Sequence, residues 1–134
     1  MEITFSEMVQ QYINDGDSSA IPNPAHSGYL CKVDDFLSEL LQFLSMMQVV
    51  KVGVGNEIAG IKKDIQKVNY SLKVIRSNNQ LYKSMNQAIN CLIDICNIEG
   101  EKAHKSGERM LSETYAWTIA GCCLFLKHAE LTKP

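Results

Sequence analysis

The chain has 134 residues, of which 46% are apolar, 21% charged and 7% aromatic; this is one domain of globular composition, and it excludes wholesale disorder, collagen-like repeats and two independent domains. Three prolines and eight glycines are few for an all-β chain, and five cysteines without paired spacing argue against a secreted disulfide framework. The net charge of −2 is divided unevenly: residues 1–57 carry eight acids and two bases, residues 58–134 seven acids and eleven bases, which suits antiparallel packing or head-to-tail contact.

At the N-terminus, Thr4-Phe5-Ser6-Glu7 fits a capping box. Met8, Val9, Tyr12 and Ile13 follow at helical spacing, which predicts a short helix over about residues 5–14. No basic segment leads into an apolar run, so a signal peptide is not expected. With unpaired cysteines, the expected location is cytoplasmic, and export by a signal-independent route stays open. Gly16, Pro22, Pro24 and Gly28 punctuate residues 15–28, which read as irregular loop. Residues 1–30 are therefore expected as a mobile arm on a helical body over residues 31–134.

Asp34 or Asp35 can cap a helix running to about Lys51. Phe36, Leu37, Leu40, Leu41, Phe43, Leu44, Met46 and Met47 cover most of its circumference, so it needs cover on nearly all sides. After Gly53 and Gly55, the residues Ile58, Ile61, Ile65, Val68, Leu72 and Ile75 recur at alternating spacings of three and four, a heptad seam. Leu40, Leu44 and Met47 lie in the same register, with Lys51 as the one break. Either the glycines form a hinge between two antiparallel helices, or one long helix runs through them. Each glycine in a helix interior costs about 1 kcal/mol relative to Ala, which favours the hinge.

Ser77-Asn78-Asn79-Gln80 reads as a tight connection. Leu81, Tyr82, Met85, Ala88, Ile89, Leu92, Ile93 and Cys96 mark a helix that should stop near Gly100, with residues 99–107 as a polar loop. A last helix should run from about Gly107 to Ala129 with Ser106 as its cap, and Gly121 should permit close approach of another helix. The expected fold is all-α: a helical bundle or helical hairpin with a long heptad-patterned helix and a short N-terminal one. The longest apolar runs, Phe36–Val54 and Ala116–Leu126, are interrupted or too short to span a bilayer.

The chemistry-bearing motifs are sparse. Glu101-Lys102-Ala103-His104 matches the Glu-x-x-His of carboxylate-bridged di-iron bundles, but no second copy accompanies it, so it reads first as a solvated polar turn. Cys91 and Cys96, five apart, and adjacent Cys122 and Cys123 are poor chelating spacings and read as core thiols. His26 and Cys31 lack an orienting third member. Lys62, Lys63, Lys67, Lys73 and Arg76 form a basic stripe; with a pI near 5.9 and Tyr70 alone among nearby aromatics, it reads as a solvated face rather than a nucleic-acid site. Asp15 and Asp17 open no calcium loop, because the twelfth position is His26.

What remains is an apolar seam larger than a small monomer needs. The expected function is a non-enzymatic protein–protein interaction module, a small assembly subunit, chaperone or adaptor that self-associates or binds a partner protein in coiled-coil fashion. Leu40, Leu44, Met47, Ile58, Ile61, Ile65, Val68, Leu72 and Ile75 are the expected contact residues, with no cofactor and no metal. The layout is of the kind found in small secretion-system subunits and in immunity or antitoxin-like proteins, an analogy of architecture without a shared motif. An inhibitor would use acidic groups such as Asp15, Asp17, Asp34 and Asp35. A helical-bundle enzyme with a metal or nuclease site is the other alternative.

Overall fold

The computed structural model describes residues 3–17, 20–50, 55–68 and 72–131, with the backbone alone at 49, 50, 72, 76 and 131. Helix α1 (Phe5–Asp15) starts where the capping box places it: the Thr4 hydroxyl accepts from the Glu7 amide at 3.1 Å and donates to the Glu7 carboxylate at 3.1 Å. Two short strands, β1 (Ala20–Pro22) and β2 (Leu30–Lys32), pair antiparallel with Ile21 opposite Cys31. A 3₁₀ turn at Val33–Asp35 leads into α2 (Phe36–Val50). Then come α3 (Gly55–Lys67), α4 (Leu72–Ser77), α5 (Asn79–Lys105) and α6 (Arg109–Leu131).

The frame is the antiparallel pair α5 and α6. Its direction is fixed by the Tyr82 hydroxyl, near the start of α5, which donates to the Glu130 carboxylate near the end of α6. α1 and β1 lie on α6, while α3 and α4 lie on α5. Phe36, at the head of α2, stacks on Phe125 of α6 with ring centroids 4.7 Å apart. All-α architecture with one minimal sheet is thus the fold, as the helical periodicity predicts.

The two helices flanking the glycines pack against each other, and the Lys62 ammonium of α3 donates to the Gln48 side chain of α2 at 3.3 Å. This is the packing of a helical hairpin; Lys51 and Gly53 lie outside the described residues. The heptad run divides into α3 and α4, and residues 69–71 between them, Tyr70 included, also lie outside the description.

Four local expectations are corrected. The expected irregular loop holds the first strand and most of the turn of the β-hairpin, and the turn is closed by Asn23: its amide donates to the Tyr29 carbonyl at 2.9 Å and its side chain accepts from the Ala25 amide at 2.9 Å. The helix expected to end at Gly100 runs on to Lys105, because the ring of Phe5 occupies the space beside Gly100, where a Cβ would lie 2.2 Å from Phe5 Cζ. Ser106 closes α5 rather than opening α6, its hydroxyl donating to the Lys102 carbonyl at 2.7 Å, and Gly107 makes the reversal at φ +75. Gly121 admits strand β1 rather than a helix: a Cβ there would lie 2.4 Å from the Pro22 carbonyl oxygen. The segment expected as a loose arm also contributes to the core through Phe5, Met8 and Ile21.

Candidate functional site

The seam read as a contact surface is the interior of the chain. Leu40, Leu44, Ile58, Ile65 and Ile75 are 0% exposed, and Met47, Ile61 and Val68 are buried with them. The side chain of Leu72 lies outside the description. For the described side chains, the cover expected from another chain is supplied by elements of this chain. The seam exceeds what one helix can hide, but α2, α3 and α5 together hide it. Heptad spacing reports which face is covered and says nothing of whether the cover is another chain.

The motif residues disperse. His104 is half-buried near the end of α5, with its ring 6.4 Å from that of Phe5. It lines a cleft of about 550 Å³ between α1 and the α5–α6 turn, with Gln11, Tyr12, Arg109 and Glu113. Arg109 is held by Glu113 at 3.0 Å. Burial raises the Tyr12 phenol above its usual range, and the nearby carboxylates of Glu113 and Asp15 add to the shift. Among the described residues, no group of three or more His, Cys, Asp or Glu side chains is placed to hold a metal ion.

All five cysteines are free thiols. Burial pushes Cys96 and Cys122 well above the ordinary thiol range, and it raises Cys123 as well. Cys31 is pushed up to about 11, by burial first and then by Glu39 and Asp35. An activated nucleophile needs the opposite shift. Lys63, Lys67 and Lys73 of the basic stripe are exposed, and the side chain of Arg76 lies outside the description.

A feature that periodicity does not report is an apolar groove of about 330 Å³. Its floor is Phe43 and Met47 of α2 and Tyr115 of α6, all nearly fully buried. Pro24 and Ala25 of the hairpin turn form one wall, and Leu111 and Thr114 of α6 another. Met46 stands at the rim with 48% of its surface exposed, and Met110, one helical turn before Thr114 and so on the same face, is 84% exposed. Tyr29 and Leu30, which follow the hairpin turn, are also exposed. The turn is held in place by Trp117 of α6, whose indole Nε1–H donates to the Asn23 carbonyl at 2.9 Å in a buried contact.

The signal for this groove in the sequence is slight. Met46 belongs to a helix apolar on nearly all sides, but its two other walls come from segments about 20 residues before it and 65 after it, which only the tertiary fold brings together. No protein-family model, curated protein or solved structure matches the chain. No helix among the described residues is long and apolar enough to cross a membrane.

Proposed function

We propose that the chain is a non-enzymatic protein-interaction module, of adaptor or assembly-subunit type, that receives a segment of a partner in the groove between α2, α6 and the hairpin turn. The observation that carries this reading is the pairing of a preformed apolar floor with Met46 left in solvent at its rim, and with Met110 exposed one helical turn from Thr114 of its wall. Large exposed apolar side chains beside a concave apolar surface mark interaction sites more often than isolated ones do. Methionine suits such a rim because its unbranched, polarizable side chain fills irregular contacts. The reading replaces the heptad seam with this groove as the contact surface.

The test is site-specific photocrosslinking in the native source, with a photoreactive residue at Met46 and a control at Gln87, exposed on α5. The expected result is a discrete protein adduct from position 46 and none from position 87. Equal labelling from both positions, or none from position 46, overturns the reading.

A further inference from the structure

The hairpin has one covered strand and one open edge. β1 lies on α6 and α1, whereas β2 packs on β1 and on no helix to a comparable degree. The pairing register decides which main-chain groups β2 turns outward. Asn23, just past β1, donates its amide to the Tyr29 carbonyl, so these two residues form a hydrogen-bonded pair. Alternation makes Ile21 and Cys31 the next such pair and leaves Pro22 with Leu30, and Ala20 with Lys32, as pairs without bonds between them. The far side of β1 agrees. Ala20 turns both main-chain groups to Asp17, its amide donating to the side chain at 2.8 Å and its carbonyl accepting from the amide at 2.9 Å. The Pro22 carbonyl lies against Gly121 of α6.

The amides of Leu30 and Lys32 and the carbonyl of Leu30 therefore face away from β1, and among the described residues none of the three has a partner. The Lys32 carbonyl is in use, because Lys32 caps the 3₁₀ turn and accepts its first bond. Side chains follow the same alternation. Cys31 shares the inner face with buried Ile21, while Leu30 and Lys32 share the outer face and are exposed. No carboxylate among the described residues pairs with the Lys32 ammonium.

We infer that the open edge of β2 receives an extended segment of a partner protein, which adds a third strand by bonding to Leu30 and Lys32 and sets an apolar side chain beside Leu30 and an acidic one beside Lys32. An extended chain presents its own donors and acceptors at the two-residue spacing of these groups, and a helix does not. A second copy of this chain fits less well. Two β2 strands paired across a two-fold axis set each Leu30 opposite a Lys32, so each Leu30 amide meets a carbonyl already in use and each ammonium group stands beside a leucine. Three residues ending in a lysine are too little edge for open-ended sheet growth, which suits one short segment. The site is separate from the groove and does not depend on it.

Lys32 supplies the test. Its φ of −69 is already that of proline, its amide makes no bond within the chain, and Cys31 before it is extended, as a residue preceding proline must be. Lys32→Pro therefore keeps the fold, removes one donor from the edge and sets a ring in the path of an incoming strand. Lys32→Ala removes the charge and keeps the donor. The probe is the tightest peptide selected from a random library on immobilised Met46→Asp, whose groove is spoiled for an apolar segment, together with copies N-methylated at one position each. On the parent chain it should bind as it does on Met46→Asp. Its affinity should fall about tenfold or more in Lys32→Pro and only about threefold in Lys32→Ala. N-methylation should weaken it at alternate positions, since a strand turns every second amide toward its neighbour. Hydrogen exchange at the Leu30 and Lys32 amides should slow when it binds.

Unchanged affinity in Lys32→Pro, N-methyl effects that do not alternate, or the absence of any selected peptide overturns the inference, and the groove is untouched by each. A loss in Lys32→Ala as large as that in Lys32→Pro assigns the binding to charge alone and overturns the added strand. Should Lys32→Pro melt below the parent, the N-methyl pattern and the exchange of the Leu30 and Lys32 amides in the parent chain decide in its place. A concentration-dependent dimer of the free parent chain that Lys32→Pro dissolves makes the second copy the occupant, and also overturns the inference.

Discussion

Two glycines in helices show how local space decides the sign of one substitution. At Gly60, inside α3, an added Cβ would meet no described atom within 4 Å. Gly60→Ala should therefore stabilise the chain by about 0.5–1 kcal/mol through helix propensity and a less free unfolded state. At Gly100, also helical, the Cβ falls 2.2 Å from the Phe5 ring, which is 2% exposed and has little room to retreat. Gly100→Ala should cost about 1–3 kcal/mol by overpacking. Paired urea denaturations check both, and two changes of the same sign would contradict the packing described. The buried thiols and phenols set a second residue-scale expectation. Cys31 is raised from 9.0 to about 11, and Tyr82 from 10.0 to about 12 by burial and by its hydrogen bond to Glu130. These groups keep their protons in the native state while the unfolded chain begins to lose them. Their contribution is complete below the unfolded values and is lost as pH rises through the folded ones. The urea midpoint should therefore fall between about pH 8 and about pH 10.5, and fall less steeply in Cys31→Ala; a flat profile in the parent chain would contradict the burial of these groups.

Among the elements, what the sequence discloses is what short-range periodicity encodes. Thr4 to Glu7 marks the start of α1, and Asn78, whose side chain accepts from the Gln80 and Leu81 amides, marks the start of α5. The threes and fours of Ile58, Ile61 and Ile65 identify a buried face. They cannot identify its cover, since the cover here is α2 and α5 of the same chain. The hairpin is hidden because its strands have three residues each, one of them proline, too few for an alternating pattern. Gly100 misleads because its neighbour Phe5 stands 95 positions away, so a residue that reads as a helix stop is in fact a notch for a ring. The groove has no periodic signature, being made from three segments by tertiary contact. The same contrast makes a prediction for the seam. Ile65→Asp places a carboxylate at a site that is 0% exposed, with a cost of more than about 4 kcal/mol. The variant should lose helical ellipticity or melt far lower, whereas an external seam would leave a folded chain that only fails to associate. Thermal melts by circular dichroism separate the two outcomes.

At the scale of the whole molecule, charge and shape act together. The acidic first half and basic second half suggest mutual neutralisation, yet the contacts between them are mostly apolar, with Lys62 to Gln48 as a polar link between α2 and α3. Lys63, Lys67 and Lys73 stay in solvent, as do Asp34 and Asp35. The halves are joined by hydrophobic burial, and these charged groups are left to the solvent. Shape follows from the hairpin of α2 and α3. Were these two helices continuous, the run from Phe36 to Lys67 would be about 48 Å long against about 40 Å for α5, because each residue of helix adds 1.5 Å. Folded back, they close the bundle, and the chain should scatter as a particle with a radius of gyration of about 14 Å, the value for a compact chain of this length. Small-angle scattering across a dilution series measures this directly. A radius tens of per cent larger that persists at the lowest concentration would mean that α2 does not return onto α3, and the floor of the groove, which depends on where that return holds Phe43 and Met47, would go with it.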